Sequence, residues 1–175
     1  VLRGEVDGLE VCRVVTDAHT DTVRLEVGVG AHDREAFQML HGDRPTGEAL
    51  ADVVRAVREH RRPGAAQHPL NLLAQERALR ARLIAEPQLV GATDIRPVMP
   101  PTARPNVRDA VPCVAQATIA DHQVTVVCST GVDLDVVPLA VDAMAAGGTD
   151  ECLIVLPPRD ALDIQHRLAA AAPGS

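Results

Sequence analysis

Strict alternation is clearest at Val23, Leu25, Val27 and Val29, which are separated by Arg24, Glu26 and Gly28. A period of two places one face of a strand on a core and the other in water. The apolar run at Leu9, Val11 and 12–15 reads as a partner strand, and the Thr- and Asp-rich residues 16–22 suit the loop of a hairpin. The spacing then changes. A short helix is predicted over 32–41, with Asp33 and Glu35 in the first turn, where the helix dipole favours negative charge. Gly42, Asp43, Arg44 and Pro45 break it. Thr46 can cap a second helix in which Leu50, Val53, Val54 and Val57 fall at i, i+3, i+4 and i+7, the stripe of one buried face. Pro63 and Gly64 stop that helix. A third is predicted over 72–85, with Leu72, Leu79 and Leu83 on one side and Pro87 ending it.

The second half is more apolar. After a Pro-rich extended stretch (Pro97, Pro100, Pro101, Pro105), residues 112–119 and 123–129 form two hydrophobic strands with almost nothing between them. A two-residue turn at Ala120 and Asp121 pairs Ile119 with His122 and sets every residue i opposite 241−i. Cys113 then faces Cys128. A helix over 135–146, a strand over 152–156 and a last helix over 160–171 complete the pattern. Strands alternating with helices predict an α/β protein, a sheet covered by helices. It divides into a small hairpin-plus-helices subdomain at 1–62, a linker at 63–71 and an αβββαβ mixed-sheet domain at 72–175.

Composition narrows the chemistry. The 175 residues include seventeen basic side chains, all arginine, and Phe37 is the only aromatic. Guanidinium cannot shed a proton at neutral pH or act as a compact point charge. A phosphate loop ending in Gly-Lys, a lysine Schiff base and the lysine of an acidic-x-Lys motif are therefore absent from this chain. The lack of lysine and the wealth of Ala, Arg, Val and Pro match codon bias in a GC-rich, actinobacterial-type genome. Val1 stands where Met is usual, so the sequence begins either at a GTG start or inside a longer protein.

The net charge of −7 is uneven: −5 over residues 1–50, +4 over 51–82 and −6 over 83–175. A polyanion is attracted only to the central block, whose candidate nucleic-acid residues are Arg55, Arg58, Arg62, Arg77 and Arg80. The alternative is a solvated helix face. Cys12, Cys113, Cys128 and Cys152 lack the close spacing of a zinc or redox motif and sit among aliphatic neighbours, which predicts buried, reduced thiols in a cytoplasmic protein. No apolar run approaches the ~20 residues of a membrane span.

Read as a string of elements, 72–171 runs helix, extended strand, strand, strand, helix, strand, helix. That order, with the apolar strand Val124-Thr125-Val126-Val127-Cys128-Ser129-Thr130 before a helix, resembles the core of the restriction-endonuclease-like, or PD-(D/E)XK, superfamily. Its nearest look is to the mismatch-specific endonucleases of archaea and actinobacteria. The resemblance implies an acidic residue at the start of the second core strand and an acidic-x-Lys on the third, holding a divalent ion that activates water. In this chain the third-strand acidic position is Cys128 and the lysine position is Thr130. The second-strand position falls near Cys113 or Val114, with Asp109 the nearest carboxylate. Hard cations prefer oxygen donors, so the resemblance implies a nuclease-like scaffold without its metal, a pseudoenzyme.

Other candidates are local. Cys113 and Cys128 form a thiol pair, read either as a redox or soft-metal pair or as two small core fillers. Asp133 and Asp135 lie after the third strand, where α/β proteins often bind ligands, and Asp135 is also placed to cap the next helix. Glu10 and Glu26, with His32 and Asp33 nearby, offer acid–base groups on the first hairpin. Gly28-Val29-Gly30 lacks the third glycine and the strand–helix–strand context of a dinucleotide loop. The expected function is therefore a non-catalytic scaffold that binds a protein partner or its own kind, with no cofactor and no membrane. Nucleic-acid binding, or metal-dependent hydrolysis at a non-standard carboxylate site, is the alternative.

Overall fold

The structure is a computed structural model that describes residues 2–17, 20–41, 44–101 and 111–172. The chain forms two compact units, Val1–Leu73 and Ala74–Ser175, each built around its own sheet.

The first unit contains β1 (Arg3–Val6), β2 (Leu9–Thr16), β3 (Val23–Val27), α1 (Gly30–His41) and α2 (Thr46–Arg61). Its three strands form an antiparallel meander in the order β1-β2-β3. The hairpin pattern captured β2 and β3 but not the faces of β3: Val23 and Leu25 are exposed, while Glu26 and Val27 are buried, because arginines reach Glu26 and satisfy its charge. β1 is an addition: Asp7 and Gly8 both have positive φ (47° and 82°), which closes a tight turn and folds the first residues back on β2. In α2 the buried residues are Ala49 and Val57, with Leu50, Val53 and Val54 only half-buried, so the covered face is turned toward Ala49 relative to the expected stripe. The 63–71 stretch, expected as a linker, belongs to this unit. Arg61 holds it there: its guanidinium donates to the carbonyls of Leu70 and Leu73, with a 2.9 Å bond to Leu70, and also to that of Asp7. A short 3₁₀ turn, Pro69–Leu72, occupies the start of the predicted third helix and leaves Leu72 exposed.

The second unit contains α3 (Gln75–Ala85), β4 (Asp94–Val98), β5 (Cys113–Ile119), β6 (His122–Cys128), α4 (Val136–Gly147), β7 (Cys152–Val155) and α5 (Asp163–Ala171). This is the αβββαβ order, and the strands lie side by side as β4-β5-β6-β7. The first three are antiparallel, and β7 returns through α4 to run parallel to β6. Ala120 and Asp121 take φ of 47° and 67°, the left-handed pair of a two-residue hairpin turn, so the register is i with 241−i throughout and Cys113 pairs with Cys128.

Helices cover both faces of this sheet, which explains why β5 and β6 carry consecutive apolar residues, Cys113-Val114-Ala115 and Val126-Val127-Cys128, instead of alternating at that end. One face packs Cys113, Ala115, Ala117, Val126 and Cys128 with Leu83, Ile95 and Ala92. The other packs Val114 and Val127 with Val136, Val137, Ala140 and Ala143 of α4. Small aliphatic side chains thus do the filling that aromatics do elsewhere, at about 1.5–3 kcal/mol for each fully buried Val or Leu. No helix of the described residues is long and apolar enough to cross a membrane.

Candidate functional site

The antiparallel register brings the start of β5 and the end of β6 to the same end of the sheet, and α3 lies over that end. Three contacts tie them. The Cys113 thiol donates to the Glu76 carbonyl (3.1 Å), the Thr130 hydroxyl donates to Glu76 Oε1 (2.9 Å), and Arg80 Nη1 donates to the Val114 carbonyl (3.1 Å). Glu76 and Arg80 are both buried, with Glu76 only 2% exposed. Together with Leu83 they form the inner side of α3 at i, i+4 and i+7. Beyond Thr130, Gly131 donates its N–H to Asp160 Oδ2 (2.8 Å), and Asp160 is buried as well. Two consecutive residues after β6 are therefore each held by a buried carboxylate.

The thiol pair sits beneath this network. Cys128 has no solvent exposure and Cys113 almost none, and neither is oxidised. The hydrogen bond with Cys113, then burial, drive the Cys128 thiol far above its ordinary value, so it stays protonated. A buried thiol held in its protonated form is a poor nucleophile and a poor metal ligand, since both roles need the thiolate. Cys152, half-buried on β7, is pushed up to about 11 by burial alone.

Asp133 is half-buried and Asp135 exposed on the loop that follows β6. Asp133 Oδ1 accepts the N–H of Asp135 (2.9 Å), and its carbonyl accepts from Gln165 Nε2 (3.0 Å), which fastens the loop to α5. Asp135 precedes α4 without a side-chain capping bond. Asp109 lies outside the described residues. Among the described residues, no group of three or more His, Cys, Asp and Glu side chains is placed to hold a metal ion.

In the first unit, Glu10 and Glu26 meet arginines. Glu26 bonds Arg13 Nε at 2.7 Å and Arg24 Nη2 at 3.0 Å, and Arg34 bridges the two acids, 3.2 Å from Glu10 and 3.9 Å from Glu26. Arg3 adds a contact to Glu10 at 3.5 Å. Burial raises the Glu26 carboxyl, but Arg13 and Arg24 outweigh it, and the group lies below its ordinary value of 4.5. A carboxylate held so strongly as the anion is a poor proton acceptor at neutral pH. His32 and Asp33 stand exposed on α1.

The arginine candidates separate. Arg55, Arg58 and Arg62 line an open cleft on α2 with Ala51, Val54 and Glu59. Arg55 is paired with Asp52 at 2.7 Å, while Arg58 and Arg62 have no ion pair among the described residues. Arg77 lies on α3 in the second unit, half-buried. Arg80 does not belong on a nucleic-acid surface, because its guanidinium is spent inside the protein on Val114. Glu76 and Asp160 had no signal in the apolar pattern, which marks charged residues as outward-facing.

Compared with known proteins, the chain matches no family model, no curated protein and no solved structure.

Proposed function

We propose that the second unit is a non-catalytic, nuclease-like scaffold that works by holding a protein partner or a second copy of the chain. The αβββαβ order and the mixed β4-β5-β6-β7 sheet support the resemblance to the restriction-endonuclease-like core. One observation carries the loss of catalysis. Where that core gathers acids and an amine, Cys128 faces Cys113 and Thr130 gives its hydroxyl to Glu76. Sulfur and hydroxyl do not gather magnesium, and the nearby carboxylate is already engaged by the protein itself.

The test is direct. Purified protein incubated with supercoiled, linear and mismatched DNA in Mg²⁺ or Mn²⁺ is expected to cleave none of them above the rate in chelator. Metal-dependent cleavage that disappears in Asp109→Ala would overturn the proposal and establish a hydrolase built on a displaced carboxylate.

A second reading rests on Arg58 and Arg62, which lie on one face of α2 without acidic partners among the described residues. Nucleic acid bound there would lose affinity steeply with salt, and Arg58→Glu with Arg62→Glu would abolish it. Affinity independent of salt removes this reading.

A further inference from the structure

A cavity of about 200 Å³ opens between α4, β7 and α5 on the α4 face of the second sheet. Three elements build it. Val136, fully buried, and Val137, nearly so, supply its floor from the first turn of α4, and the half-buried Cys152 and Ile154 supply a wall from β7. Gln165, His166 and Ala169 of α5 form the other side. Gln165 is buried and fixed at both ends of its amide: Oε1 accepts the N–H of Leu162 (2.8 Å) and Nε2 donates to the Asp133 carbonyl (3.0 Å). Those bonds hold α5 against the loop that precedes α4, so the space is set by the fold before any ligand arrives. His166 is exposed, and its ring has no hydrogen-bond partner among the described residues.

We infer that this cavity binds a small uncharged molecule made of one benzene-sized apolar body and one hydroxyl, with the body against Val136, Val137 and Ile154 and the hydroxyl on His166. Sites for small molecules are concave, mostly apolar and carry a few placed polar groups. Size sets the body: an apolar cavity of about 150 Å³ takes up benzene, and this one has room for a substituent as well. Lining sets the polarity. Water lying against valine and isoleucine finds no partners there and is favourably displaced by a ring, whereas the imidazole of His166 offers a hydrogen-bonding nitrogen at the mouth. Charge excludes an acid. Asp133 and Asp135 precede α4 and Asp163 opens α5, while Arg167 is the one guanidinium of that helix, so a carboxylate is disfavoured.

The cavity and the thiol pair lie on opposite faces of the sheet, since Val136, Val137 and Ile154 pack in one cluster and Cys113 and Cys128 in the other. The inference is therefore independent of the scaffold reading: a chain that cleaved DNA would keep this cavity.

Phenol and benzene are the probes. Titration of phenol into the full chain is expected to move the methyl NMR signals of Val136, Val137 and Ile154 saturably, with a dissociation constant on the order of a millimolar. Those of Leu83 and Ile95, on the opposite face, should stay in place. Ala169→Leu fills the cavity from α5 and should abolish binding, and Cys152→Leu should do the same from β7 if the first variant does not fold. His166→Ala should weaken phenol about fivefold and leave benzene unchanged. Shifts that do not saturate, or that spread to Leu83 and Ile95, overturn the inference. So does binding that survives the filling variants, or a His166→Ala variant that treats phenol and benzene alike.

Discussion

Glu76 and Thr130, fifty-four residues apart, share a 2.9 Å hydrogen bond that ties the first turn of α3 to the segment leaving β6. It closes the end of the sheet where β5 begins and β6 ends. Thr130→Val removes the donor and leaves part of a buried carboxylate without its partner. The expected cost is about 1–3 kcal/mol, read as a lower urea midpoint with an unchanged slope. Thr130→Ser keeps the hydroxyl and should retain most of the stability.

The thiol pair should be inert in the native state. Because Cys128 is buried and its thiol is held protonated, alkylation with iodoacetamide at pH 8 followed by peptide mass spectrometry should leave it unlabelled. Labelling should appear only when the protein is unfolded in urea. Rapid native labelling of Cys128 would contradict the geometry.

Acid should weaken the first unit through Glu26. Its folded value is depressed, so the stabilisation is fully present above the unfolded value near 4.5 and is lost as pH falls through the lower folded value. Glu26→Gln should destabilise the protein by about 1.5–3 kcal/mol at pH 7, the range for hydrogen bonds to charged groups. Urea midpoints of the two proteins should differ by a constant amount above that pH and converge below it.

Close packing under β1 offers a paired test. A Cβ built on Gly4 falls 2.6 Å from Cys12 Sγ, and Cys12 is buried. Gly4→Ala is therefore expected to cost about 1–3 kcal/mol by overpacking. Combining it with Cys12→Ala should recover part of that cost, a non-additivity measurable in a double-mutant cycle.

Local physics carried much of the architecture into the sequence. An apolar run announced β2 and a period of two announced β3, though not which face of β3 is buried, and the left-handed pair at Ala120 and Asp121 set the β5–β6 register, including Cys113 against Cys128, because a two-residue turn leaves no freedom in pairing. The alternation of strands with helices announced a sheet covered by helices, and the second sheet is packed on both faces. β1 escaped, although Asp7 and Gly8 are a strong turn signal, because four residues with two charges show too little apolar alternation to register as a strand.

The sequence by itself therefore determined the α/β class, most of the helices and strands and the central hairpin, all of which follow from contacts between near neighbours. Only the tertiary structure decided that Glu76, Arg80 and Asp160 are buried, that Glu10 and Glu26 share Arg34, and that β7 lies parallel to β6. Hydrophobic patterning assigns every charge to water, and a charge goes inside only when a distant residue arrives to satisfy it. Those partners, thirty-four residues away for Arg80 and fifty-four for Glu76, come together only when the chain has folded.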